Sequence, residues 1–232
     1  MELVWSGLIE AIRMIFQLDQ EVLHITWVTI QVSFLSVLVS TIVGIPVGML
    51  LAFKRFPGKK IVVLIAHAGM GLPPVVAGLW VTMVLWRSGP LGDLGWLFTT
   101  KAIVIAQVAV SLPIIISLTY SAFKKLDRSL LLQIKALAPT KWQTLILYVK
   151  EARFGIMAAI MAGLGRVLAE VGAAMMVGGN LKGETRILTT AMVMEVSRGN
   201  FHIAIALSFI LMSLALLVTI LLLRLQQKDV AA

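Results

Sequence analysis

Five stretches of the chain are nearly free of charge and long enough to cross a bilayer: residues 25–53, 61–86, 102–122, 154–177 and 201–223. A hydrocarbon core about 30 Å thick needs roughly 20 apolar residues of helix, so each stretch predicts one transmembrane helix. The polar segments between them are short. The pattern therefore predicts an all-α polytopic membrane bundle of about five transmembrane helices, one domain over residues 1–232. Ahead of the first span, Met1 to Gln20 is too polar to cross and, with Glu2, Glu10, Arg13 and Asp19, does not read as a secretory signal. Leu3, Val4, Leu8, Ile12 and Ile15 recur there at helical spacing, with Trp5 and Phe16 beside them, so residues 1–23 are expected to form an interfacial helix on the outer surface. Residues 178–200 form an outer-face segment whose apolar part, Ile187 to Val196, is too short to span. It is expected to be re-entrant or to lie at the surface.

Composition sharpens this picture. With 59% hydrophobic and 13% charged residues, the chain has about half the charge of a soluble domain, which excludes an ordinary soluble enzyme. It has no cysteine, which removes thiol catalysis, Cys-based zinc sites and iron–sulfur ligation. The net charge of +9 comes from basic clusters between apolar runs rather than from a basic surface interleaved with aromatics, so it reads as a topology signal and not as a nucleic-acid interface. Thirteen Lys and Arg fall in the segments on one side, from Lys54 through Lys124 to Lys228, against six on the other. The positive-inside rule makes the first side cytoplasmic, with the N-terminus outside and the C-terminus inside.

The spans are punctuated by helix breakers. Gly44-Ile-Pro46-Val-Gly48 lies in the first, Gly69-Met-Gly71-Leu-Pro73-Pro74 in the second and Ser111-Leu-Pro113 in the third. Each proline frees a carbonyl that must find another donor, so Pro46, Gly71, Pro73, Pro74 and Pro113 are candidates for pathway or gate positions, or simply kinks that help packing. The fourth span is rich in small residues, Gly155, Ala158, Ala159, Ala162, Gly163, Gly165 and Ala169 among them, and is expected to be enclosed by protein, in its own bundle or at a dimer seam. Arg166 and Glu170 stand four apart in it and are expected to pair on one helix face, as a neutralising structural pair or as a functional one.

Between spans three and four, residues 123–153 are longer and more basic than a turn requires. Asp127 or Ser129 can cap a helix through Leu131, Ile134 and Leu137; Pro139 ends it; Thr140-Lys-Trp142-Gln143 has the pattern of a capping box opening a second helix. The hairpin fits a partner-binding element or a lipid-facing amphipathic one. It resembles the cytoplasmic coupling loop of ABC importer permeases, with Ala138 at that pattern's glycine position in Leu137-Ala-Pro-Thr-Lys-Trp142. Leu132, Gln133 and Ile134 replace the pattern's Glu-Ala-Ala, and Tyr148, Lys150 and Glu151 replace its Ile-x-Leu-Pro.

A more specific likeness lies downstream. Gly165-Arg-Val-Leu-Ala-Glu-Val-Gly-Ala173, Val177-Gly-Gly-Asn180 and Gly183-Glu-Thr-Arg-Ile-Leu-Thr-Thr190 resemble the signature region of the molybdate, sulfate and tungstate oxyanion permeases, closest to the tungstate branch. Gly71-Leu-Pro-Pro-Val-Val-Ala-Gly78 and Arg87-Ser-Gly-Pro-Leu-Gly92 extend it over nearly the whole chain. The resemblance implies a methionine-importer-like ABC permease fold in the prokaryotic cell membrane, acting in ATP-driven tungstate import, or molybdate or sulfate import. It implies as partners a second copy of the chain, two ABC ATPase subunits carrying ATP and Mg, and a soluble oxyanion-binding protein. Leu131, Leu132, Lys135, Ala136, Leu137, Ala138, Pro139, Thr140 and Trp142 would engage the ATPase; Arg166 and Glu170 join the pathway candidates; Asn180, Arg186, Thr189 and Thr190 would meet the oxyanion or the binding protein at the outer face.

Nothing in the chain points to chemistry of its own. Its one Gly-Lys pair, Gly58-Lys59, lacks a phosphate-binding loop, so no ATPase site or cofactor is expected within it. His24, His67 and His202 have no ligand-type neighbours at i+3 or i+4, and no metal site is expected. An ion-coupled secondary transporter, the remote alternative, should carry internal repeats or carboxylates in several spans, and only Glu170 is of that kind.

Overall fold

The structure, a computed structural model, describes residues 2–17, 19–127, 129, 136 and 140–228. Ten α-helices follow one another among these residues: α1 Glu2–Phe16, α2 Gln20–Phe53, α3 Lys59–Met70, α4 Pro74–Leu85, α5 Thr100–Lys124, α6 Lys141–Glu151, α7 Arg153–Leu168, α8 Gly172–Gly178, α9 Leu188–Ser197 and α10 Phe201–Lys228. Three of them, α2, α5 and α10, are single helices long and apolar enough to cross a membrane. The other two expected spans are bent pairs, α3 with α4 at 110° and α7 with α8 at 59°.

Two buried clusters mark the ends of the bundle. Val28 and Val32 of α2, Leu85 of α4, Ala102, Ile103 and Ala106 of α5, and Ala173, Ala174 and Val177 of α8 pack together at one end. Ala52 of α2, Phe123 of α5, Tyr148 of α6, and Ala152 with Ile156 of α7 pack together at the other. There Phe53 stacks on Tyr148 at 4.6 Å between ring centroids and meets Phe123 edge-on at 5.5 Å. Since α2 and α5 run side by side in the same direction, from the first cluster to the second, and each bent pair returns from the second to the first, all cross the bundle. The start of α10 packs beside the first end, where Ala206 and Leu207 join Val22, Ile25 and Leu188. Five crossings therefore separate the two termini of the bundle.

The central seam is α2 against α5. Gly44 and Gly48 let the helices approach until a Cβ at Gly48 would stand 2.8 Å from the Ile116 carbonyl oxygen. Close approach brings hydroxyls together: the Ser36 hydroxyl donates to Gln107 Oε1 at 2.8 Å, and Ser40 and Ser111 share a hydrogen bond of 2.7 Å. Pro46 and Pro113 lie inside helices that continue past them, so these spans are not broken there. One lost donor in a long helix is tolerated where neighbouring turns hold the axis, and the Pro113 ring fills the space that Gly69 leaves open, 2.7 Å from where a Cβ would sit.

Residues Glu2–Phe16 are helical, and of the expected stripe Trp5 and Ile12 are exposed. Gly7 packs on Ile205 and Ala11 is buried, while Trp5, Ile9 and Ile12 face outward. The Ser6 hydroxyl and His202 Nδ1 lie 3.0 Å apart across the same seam. Among the described side chains of α1, Gly7, Ala11 and the half-buried Met14 lie on this seam. The side chains of Leu3, Val4, Leu8, Ile15 and Phe16 lie outside the described set.

Candidate functional site

The two breaks stack on each other. Gly71 ends α3 and Pro74 starts α4, with Pro73 in extended conformation between them. The Val76 N–H turns to the Pro73 carbonyl, and the Leu72 carbonyl, freed by the break, accepts Arg166 Nη2 at 3.2 Å. Arg166 belongs to the last turn of α7, whose helix stops at Leu168. A guanidinium from one broken span thus satisfies a carbonyl released by the other. Above this bond α4 lies on α8: a Cβ on Gly78 would stand 2.7 Å from the Ala173 Cα, and one on Gly172 2.6 Å from Val75 Cγ2.

Glu170 does not pair with Arg166. The expected i,i+4 pair needs a continuous helix, and α7 ends before Glu170, which lies between α7 and α8. Its buried carboxylate turns forward, Oε1 accepting the Ala173 N–H at 2.8 Å at the start of α8, while its own carbonyl accepts the Thr189 hydroxyl at 2.8 Å. The carboxylate caps a helix, and the Arg166 guanidinium lies beside the break with its Nε buried and without a hydrogen-bond partner among the described residues.

The small-residue face of α7 is divided. Gly163 and Ala159 are buried, Gly163 against Ile115 and Gly155 against Ala122 of α5, whereas Ala158, Ala162, Gly165 and Ala169 are exposed. Within one chain α7 is therefore enclosed on one side only. Its open side borders a groove of about 230 Å³ against α10, lined by Met161, Leu164, Gly165, Leu211 and Met212 among others.

At the α8 end of the bundle, residues 178–200 hold an apolar helix too short to cross a bilayer. The helix α9, ten residues long, lies against α2 and α10, tied in by the Leu188 N–H donating to Thr29 Oγ1 at 2.9 Å. The four outer contact candidates serve this docking. Thr190 caps α9, its hydroxyl accepting the Ile187 N–H at 3.1 Å; Thr189 holds Glu170; both are buried. Asn180 takes a left-handed φ of 52° after Gly179, and its carbonyl accepts Arg186 Nη2 at 3.5 Å. Arg186 Nη1 lies 2.8 Å from Glu21, and Lys182 Nζ 2.6 Å from the other oxygen of that carboxylate. This last cluster lines a cavity of about 310 Å³ that Glu195 and Arg198 also line. Glu21 was not among the sequence candidates; a lone acid at the start of a span, opposite two basic residues of a loop, was the signal available.

At the other end, Thr140 caps α6 by accepting the Gln143 N–H at 3.2 Å, and Trp142 in its first turn is 70% exposed. Tyr148, on the opposite face, anchors α6 to Phe53. Ala136 is exposed. Leu131, Leu132, Lys135, Leu137, Ala138 and Pro139 lie outside the described residues.

Known proteins resemble this chain in sequence and in fold. A probable anion ABC transporter permease protein of Haloferax volcanii is 40% identical over 197 residues, 83% of this chain and 85% of that one. The tungstate uptake system permease protein TupB of Peptoclostridium acidaminophilum is 32% identical over 228 residues, 98% of this chain and 100% of that one. Among solved structures, a chain from inward facing conformations of the MetNI methionine ABC transporter superposes with a TM-score of 0.71 at 20% identity, covering 94% of this chain and 98% of that chain, which establishes the fold. Residues 44–229 match the family of binding-protein-dependent transport system inner membrane components, and the chain, a multi-pass membrane permease subunit, belongs to that family.

Proposed function

We propose that this chain is the permease subunit of an ATP-driven importer of tungstate. The observation that carries the reading is the end-to-end likeness to a tungstate uptake permease, at 32% identity over 98% of the chain. The stacked breaks support it physically. A dianion crossing a bilayer needs donors but not a deep cationic trap, and the junction offers one guanidinium, Arg166, whose partner is a carbonyl rather than a carboxylate. With Gly71, Pro73 and Pro74 forming the hinge of α3 and α4, tilting one half-helix against α8 would open or close the path. Pro46 and Pro113 act in this reading as packing elements.

Two copies assemble with their exposed α7 faces toward each other, each seated on an ABC ATPase that supplies ATP and Mg. The loop through Leu131, Leu132, Lys135, Ala136, Leu137, Ala138 and Pro139, ending at the Thr140 cap and the exposed Trp142, inserts into the ATPase and carries its closure to α6, Tyr148 and the base of α7. The positive-inside count supports a cytoplasmic position for this end and an outer position for the N-terminus. A soluble oxyanion-binding protein docks on the outer face around Asn180, Lys182 and Arg186.

Proteoliposomes holding the permease, its ATPase and the binding protein test this through ATP-dependent uptake of labelled tungstate, molybdate and sulfate. Preferential tungstate uptake is the expected result. Preference for molybdate or sulfate would reassign the substrate, and uptake driven by an ion gradient without ATP would overturn the importer reading.

A further inference from the structure

The turn between α2 and α3 concentrates charge without an opposing group. Lys54, Arg55, Lys59 and Lys60 crowd into seven residues, and none of them is within ion-pair distance of a carboxylate among the described residues. Arg55 and Lys124 are close enough for their charges to act on Lys59. The Lys59 ammonium is held in place, donating to the Lys54 carbonyl at 2.9 Å, while Arg55 and Lys60 are exposed. Gly58, at φ 82°, caps α3 without a side-chain bond, and nothing lies within 4 Å of where its Cβ would be. Arg55, Phe56, Gly58, Lys59, Lys60 and Ile61 line a cavity of about 540 Å³ at this point.

Below this basic turn the surface changes character at once. No residue of α3 is buried, and Ile61, Leu64 and Ile65, spaced to share one face, are each more than 60% exposed. A cavity walled by three cations, Arg55, Lys59 and Lys60, thus opens directly onto an apolar helix face. The occupant that matches both is one molecule with an anionic head and a hydrocarbon tail.

We infer that this turn is a binding site for an anionic phospholipid, its phosphate seated among Arg55, Lys59 and Lys60 at the uncapped start of α3 and an acyl chain lying along Ile61, Leu64 and Ile65. Charge complementarity selects this occupant over a neutral lipid. The seat in the cytoplasmic leaflet rests on the orientation proposed above; the existence of the site does not, because reconstituted bilayers carry the lipid in both leaflets. Transport and lipid binding are read separately, so failure of either leaves the other standing.

The test uses the full chain in complex with its ATPase. Native mass spectrometry and titration in neutral detergent would compare phosphatidylglycerol, phosphatidylcholine of the same chain length, and inorganic phosphate. Wild type is expected to retain phosphatidylglycerol in preference to phosphatidylcholine. R55Q/K60Q, which changes two exposed side chains, should weaken phosphatidylglycerol about thirty-fold, whereas R224Q, removing one cation from the end of α10, should leave it unchanged. I61S/I65S should weaken it without altering any charge. Equal retention of both lipids, or equal losses in R55Q/K60Q and R224Q, would overturn the inference. So would displacement of the lipid by millimolar inorganic phosphate, which would make this a soluble-anion site. Loss of the ATPase from R55Q/K60Q with lipid retention intact would also overturn it, identifying a protein-docking surface.

Discussion

Replacing Gly78 by alanine strikes the junction of the two broken spans directly. The new Cβ would lie 2.7 Å from the Ala173 Cα and 3.3 Å from its carbonyl oxygen, and ordinary contact begins at 3.4 Å, so α4 and α8 must part by about 0.7 Å. Both obstacles include backbone, so no side-chain rotation relieves them. The same separation works against the Arg166–Leu72 bond, which at 3.2 Å is already at the long end for an N–H···O bond. Overpacking of this kind costs about 1–3 kcal/mol. Against it stands only the helix preference of alanine over glycine, about 0.5–1 kcal/mol. G78A is therefore expected to lose about 1–2 kcal/mol on balance in unfolding titrations with a denaturing detergent, and to lose ATP-driven uptake while still copurifying with the ATPase. Gly165, with nothing within 4 Å in the chain, is the control: G165A in the isolated subunit should match or slightly exceed wild-type stability. A G78A variant as stable and as active as wild type would refute the close stacking of α4 on α8.

Arg166→Met should keep the subunit folded and assembled but lower uptake about tenfold or more, since a charge-assisted bond of about 1.5–3 kcal/mol is removed from the hinge; initial uptake rates at matched protein levels decide it. Glu170→Ala removes the cap of α8 and should cost about 0.5–2 kcal/mol in the same unfolding titration, whereas Glu170→Gln, which keeps an acceptor oxygen, should cost less. Trp142→Asp should abolish copurification with the ATPase without changing unfolding, because that ring is exposed. Glu21→Gln should loosen the Lys182 and Arg186 contacts and speed amide hydrogen exchange in residues 180–187, with little change elsewhere.

The span positions and the number of crossings could be read from the chain because a charge-free run of some twenty residues has few alternatives in a bilayer. The breaks were harder. Pro73-Pro74 does break its span, yet Pro46 and Pro113 carry the same chemistry and do not, because the glycines packed around them let neighbouring helices hold the axis straight. No proline marks the break after Leu168; it forms because Glu170 finds the α8 N-terminus and Thr189 finds the Glu170 carbonyl, contacts 3 and 19 residues away that spacing within one helix cannot foresee. The same non-local closure redirected Arg166 to Leu72, 94 residues distant, and drew Thr189 and Thr190 inward.

The most direct measurement is ATP-driven uptake of labelled tungstate into proteoliposomes that contain this permease, its ATPase and the binding protein, with the R166M permease alongside. Uptake that requires ATP, prefers tungstate to molybdate and sulfate, and falls about tenfold or more in R166M is the expected outcome. Uptake that needs no ATP, or an R166M permease as active as wild type, would contradict the account.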